Sequence, residues 1–83
     1  MEKEIGTVTH FYDKIGVMVV KLTDKVAVGD AIKIKRGDEE IEETIESMQY
    51  DHQDIKSAKK NQEVGIKVKE KVREGDEVYP AES

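Results

Sequence analysis

Ten Val and eight Ile stand against a single Leu in this chain. β-Branched side chains fit a pleated surface and lose rotamer freedom in a helix, so this choice of apolar residue commits the core to strands. Length sharpens the constraint. Eighty-three residues bury only about 60% of the surface that the unfolded chain exposes, so nearly every apolar side chain is needed for one core. Residues 1–83 are therefore expected to form one domain, with its core between Ile5 and Tyr79 and short polar tails.

Fourteen Lys and Arg against nineteen Asp and Glu give a net charge of −5. The charge is uneven: residues 1–37 carry seven basic and five acidic groups, residues 38–83 seven and fourteen. An acidic domain has no general attraction to phosphate backbones or anionic lipid, so binding either would need a local basic patch. The absence of Cys excludes disulfides and thiolate zinc sites and fits a reducing compartment. The longest apolar run, residues 15–20, is far too short to span a bilayer, and the Met-Glu-Lys-Glu start is unlike a signal peptide. A cytoplasmic protein with no membrane partner is the expectation.

Gly and Asp cut the sequence into short strips. Residues 5–12 read as a strand closed by a turn at residues 13–16, and residues 16–22 as a strand apolar on both faces, as expected where both are covered. Ile32 and Ile34 alternate with Lys33 and Lys35, and Val64, Ile66 and Val68 with Lys67 and Lys69, the pattern of half-buried antiparallel strands. A last short strand, residues 77–79, ends at Pro80. The middle is ambiguous. Ile41, Ile45 and Met48 fall at helical spacing behind the acidic residues 38–40, whereas β-branched Ile41, Thr44 and Ile45 fit a strand with a bulge before Met48. The pattern V-x-x-G-D-x-I/V occurs at residues 26–32 and again at residues 72–78, each copy offering Gly for positive φ and Asp to hydrogen-bond the turn. Repeated turn chemistry accounts for the recurrence without an internal duplication.

Chemistry-bearing motifs are scarce. None of the six Gly is followed by Lys, so there is no phosphate loop, and no Ser has the flanking glycines of a nucleophile elbow. The carboxylates of Glu39, Glu40, Glu42, Glu43 and Glu46 read as a solvated surface rather than paired catalytic acids. His10 and His52 are too few to close a metal site. Arg36, Gly37 and Asp38 spell an adhesion tripeptide that reads here as a turn tip. No enzyme activity and no cofactor are expected. The candidate contacts are aromatic and basic groups near two loops: His10, Phe11, Tyr12 and Lys14 at the first turn, Tyr50 and His52 after Met48. Lys33 and Lys35 join Lys67 and Lys69 in a basic stripe if their strands are adjacent. Such groups on a small barrel stack and pair with single-stranded nucleic acid; aromatics plugging the barrel ends are the plainer alternative.

Five pieces occur in a fixed order: G-x-V-T at residues 6–9, V-G-D-x-I at 28–32, S-M-Q at 47–49, A-x-x-x-x-x-V-G-I at 58–66 and G-D-x-V at 75–78. Together they resemble the second domain of translational GTPases such as elongation factor Tu, and closer still the stand-alone translation elongation factor-like proteins, across residues 5–79. A related barrel is also appended to collagenase-like bacterial peptidases. The resemblance implies a closed six- or seven-stranded antiparallel Greek-key barrel, a strand over residues 44–49 and a crossover over residues 55–60. It implies a non-catalytic module associated with RNA, tRNA or the ribosome, binding no nucleotide by itself. The alternative is a protein-interaction module for an enzyme or ribosomal protein, using an open edge or the acidic surface of residues 38–46.

Overall fold

The computed structural model describes residues 4–81, and the expected polar tails beyond them lie outside it. Every regular element among the described residues is a strand: β1 (Gly6–Tyr12), β2 (Val17–Leu22), β3 (Val26–Ala27), β4 (Ala31–Arg36), β5 (Glu39–Thr44), β6 (Met48–Tyr50), β7 (Gln53–Ile55), β8 (Ser57–Ala58), β9 (Glu63–Lys67) and β10 (Glu77–Pro80). Eight of them form one antiparallel sheet in the order β5-β4-β10-β1-β2-β9-β6-β7, and β3 pairs with β8. No helix of the described residues is long and apolar enough to cross a membrane.

The inward faces meet in one core. Met18, Val20 and Leu22 of β2, Ile32 and Ile34 of β4, Val64 and Ile66 of β9 and Val78 of β10 are all buried. The alternation of Ile and Lys in β4 is realised as read, with the lysines facing outward beside β5 and β10. Residues 39–44, open between helix and strand in the sequence, are a strand because β4 supplies a partner along their full length. Lys33 stands opposite Glu42, and Lys35 opposite Glu40 with 3.6 Å between Nζ and the carboxylate. Cross-strand pairs of opposite charge favour that register.

Two expectations of the barrel are corrected. The strand pairing does not close on itself among the described residues: β5 and β7 are its edges. Exposed charged and polar groups on both edges, Glu39, Glu40 and Glu42 on one and Gln53 and Asp54 on the other, suit a strand that pairs on one side only. On the β5 side, Glu43 Oε2 accepts hydrogen bonds from the backbone of Lys69 and Glu70, beyond the end of β9, at 3.0 and 3.1 Å. Nor is there a strand over residues 44–49 or a plain crossover over residues 55–60. The chain breaks at residues 45–47 to change parity between Ile45 and Met48, and the later segment holds the end of β7 and β8.

The two V-x-x-G-D turns are built alike. In each, the Asp Oδ2 accepts from the backbone N–H three residues earlier (Ala27 or Arg73) at 2.9 Å, and the Asp N–H donates back to the carbonyl of that residue at 3.1 Å. Gly29 and Gly75 have φ of 99° and 92°, which L side chains rarely adopt. The likeness continues into the sheet: Gly29 N–H and Asp30 C=O bracket Ile45, as Gly75 N–H and Asp76 C=O bracket Val8.

Candidate docking face

β2 is apolar on both faces, and only one of them is covered. Its inner side chains fill the core, while Val17 and Val19 point outward, half-buried by their neighbours, with no second layer of the described residues over them. Tyr12 (49% exposed) and Ile15 (62% exposed), at the end of β1 and in the following turn, extend this apolar strip. In a chain with 40% charged residues, such a strip is a costly surface to leave bare, and apolar patches rimmed by polar groups mark interaction sites.

A bulge in β1 creates much of it. The register with β2 shifts between Val8 and His10, leaving Thr9 unpaired, with its hydroxyl donating to Val19 C=O at 3.2 Å. The shift turns Phe11 toward the core and both His10 and Tyr12 outward, where their ring centroids lie 4.3 Å apart at 57°. Re-aiming side chains is what bulges do. His10 Nδ1 also lies 3.3 Å from Glu74 Oε1 in the second V-x-x-G-D turn.

Across the strip, β9 and β6 form the opposite wall of a shallow groove. Gly65 is its floor, standing opposite Val19 on β2 and Gln49 on β6. Asp51, His52 and Glu63 form the polar rim. Asp51 and His52 make the tight turn between β6 and β7 with φ of 54° and 63°, two left-handed residues in succession without a glycine. Backbone strain of this kind costs of order 1 kcal/mol or more per residue and gathers at functional sites.

The structure thus brings together part of the candidate set. Tyr12 and His52 share the groove, and His10 adjoins it through Tyr12. Tyr50 is exposed over a neighbouring depression that shares Asp51 and Glu63 and adds Lys21. Lys14 is exposed in the β1–β2 turn, and Phe11 packs against the core. Lys33 and Lys35 lie elsewhere. β4 is separated from β9 by β10, β1 and β2, so the four lysines form no continuous stripe. Lys35 is occupied by Glu40 and by the Tyr79 ring, 4.5 Å below its Nζ. Among the described residues no three His, Cys, Asp or Glu groups are placed to hold a metal ion. Gln49 and Gly65 stand in the ordered motif set but were not read as contacts, and Ile15, Val17 and Val19 lie in the apolar run of residues 15–20, which reads as a strand covered on both sides.

No protein-family model matches the chain. An uncharacterised protease of Methanocaldococcus jannaschii is 43% identical over 77 residues, 92% of this chain, and the chain spans 19% of that protease's length. Two crystal structures of the C-terminal domain of a U32 peptidase-type protein from Geobacillus thermoleovorans share the fold. Their TM-scores are 0.87 and 0.90 at 19% and 18% identity, covering 93% and 96% of this chain and 98% and 93% of theirs. These findings overturn the resemblance to translation elongation factors and leave the expected links to translation, RNA, tRNA and the ribosome without support. The ordered motif set is mostly turn chemistry, which any sheet with these turns requires. The peptidase-appended relative is the thread of the resemblance that the comparisons return.

Proposed function

We propose that this chain is a non-catalytic protein-interaction module that docks a peptidase-type protein through the outer face of β2. The observation that carries the reading is the apolar strip formed by exposed Tyr12 and Ile15 beside the half-buried, outward-facing Val17 and Val19 of a central strand. The occupant is argued from kinship: a closely similar segment makes up one-fifth of a protease, so most of that polypeptide is available to sit beside it. The scarcity of catalytic motifs supports a binding role.

The test is co-purification of the tagged chain from its own cells after RNase treatment, with the recovered proteins identified by mass. A peptidase-type protein in stoichiometric amount, lost on substituting Ile15→Ser together with Val19→Ser while the β-rich circular dichroism is kept, is the expected result. Recovery of no such protein, or of one indifferent to the double substitution, sinks the reading.

A further inference from the structure

Two glycines lie inside strands of the main sheet, and their reasons differ. A Cβ on Gly6 would run into the Val20 side chain and sit 2.9 Å from the Lys21 carbonyl, a backbone atom that cannot move aside. Packing therefore explains Gly6. At Gly65 a Cβ would meet one close neighbour, Val17 Cγ1 at 3.1 Å, and then only Gln49 O at 4.0 Å. Its φ is not positive, and the β2–β9 register runs through it without a bulge. Glycine within a strand forfeits stability; at Gly65 no positive φ, bulge or backbone clash demands it, the close contact is to the Val17 side chain, and a bare backbone lets another molecule come close.

We infer that Gly65 is the floor of a socket that receives one large apolar side chain of the docked protein, carried beside a basic residue. This rests on the docking reading above and names what enters the groove. Tyr12, Ile15, Val17 and Val19 offer the incoming side chain an apolar wall, and the bare backbone at Gly65 gives it depth. The basic neighbour follows from the rim, where Asp51 and Glu63 set two carboxylates against the single ammonium of Lys21. His52, in its left-handed turn, closes the polar side.

The test follows the amide spectrum of the purified chain by NMR during titration with blocked tripeptides. N-acetyl-Lys-Phe-Lys-amide should give saturable shifts at Val17, Val19, Gln49 and Gly65. The Glu-Phe-Glu and Lys-Ser-Lys analogues should bind about tenfold more weakly or worse. Gly65→Val should abolish the response. Should that variant unfold, Gly65→Ala, which asks only a small shift of Val17, should keep the fold and weaken binding about tenfold. No saturable shift, equal response to the three peptides, or undiminished binding by a folded Gly65 variant overturns the socket. The two readings fail separately. If Ile15→Ser with Val19→Ser releases the peptidase-type protein while the tripeptides and Gly65 variants do nothing, docking stands and the socket falls. If the double substitution leaves that protein bound, the docking reading falls.

Discussion

The turns at residues 26–30 and 72–76 share one hydrogen-bonding scheme in two settings. Asp30 is exposed, whereas Asp76 is buried at 6% exposure and faces Arg36, whose Nη2 donates to Lys71 C=O at 2.8 Å. Arg36 Nε is buried without a hydrogen bond and lies 3.5 Å from Asp76 Oδ2, so charge rather than a hydrogen bond joins them. Local chemistry fixes the shape of both turns. Surroundings decide how much depends on it.

The largest expected difference is between the two aspartates. Asp76→Ala removes the turn's side-chain hydrogen bond and the ion partner of the half-buried Arg36 and should cost about 2–3 kcal/mol, while Asp30→Ala should cost about 1 kcal/mol. Urea denaturation measures both, and equal costs would break the contrast. Next comes coupling: a double-mutant cycle on Arg36→Ala and Asp76→Ala should give about 2 kcal/mol, and the same cycle with Asp30 nothing measurable. The glycines should then behave as equals despite their surroundings. With open space at each Cβ position, Gly29→Ala and Gly75→Ala should each cost about 1–2 kcal/mol through backbone conformation alone. Unequal values would mean that the turns differ in more than burial.

The smallest effect concerns the residue after each Asp, Ala31 in one turn and Glu77 in the other. A hydrogen bond with Glu77, then partial burial and the Glu77 charge, raise the Glu4 carboxyl above its ordinary 4.5, against a lowering by the Thr7 hydroxyl. A carboxyl raised on folding stabilises fully only below its unfolded value, and that contribution is lost as pH rises through the folded one. Glu4→Gln should therefore be slightly more stable than the parent at pH 7, and the gap should close toward pH 4.5. A gap that widens on acidification would show the sign to be wrong.

Much of the fold was legible because one face of most strands is buried. The alternation of Ile32 and Ile34 with Lys33 and Lys35 fixed the face of β4, and the Gly-Asp pairs marked turns whose hydrogen bonds the side chain itself supplies. Residues 39–44 were not legible, since what makes them a strand is the lysine row of β4, a partner that local periodicity does not contain. The bulge at Thr9 left no mark either, and without it the outward pairing of His10 with Tyr12 could not be read. The groove was half visible: Tyr12 and His52 were singled out, but the apolar outer face of β2 read as covered. The lysines of β4 could not be placed relative to those of β9 from sequence, because which strands are neighbours depends on pairing between distant segments.

The position of β10 has a kinetic consequence. The last of the ten strands to be synthesised lies between β4 and β1, pairing with both, so until it emerges the main sheet exists only as two pieces. Each piece then offers a bare edge, one on β4 and one on β1, and such edges recruit strands from neighbouring chains. Joining the two pieces must also await contacts between distant parts of the sequence, which slows folding. Refolding yield should therefore fall with protein concentration, and losing residues 77–80 should leave an aggregating fragment rather than a trimmed domain.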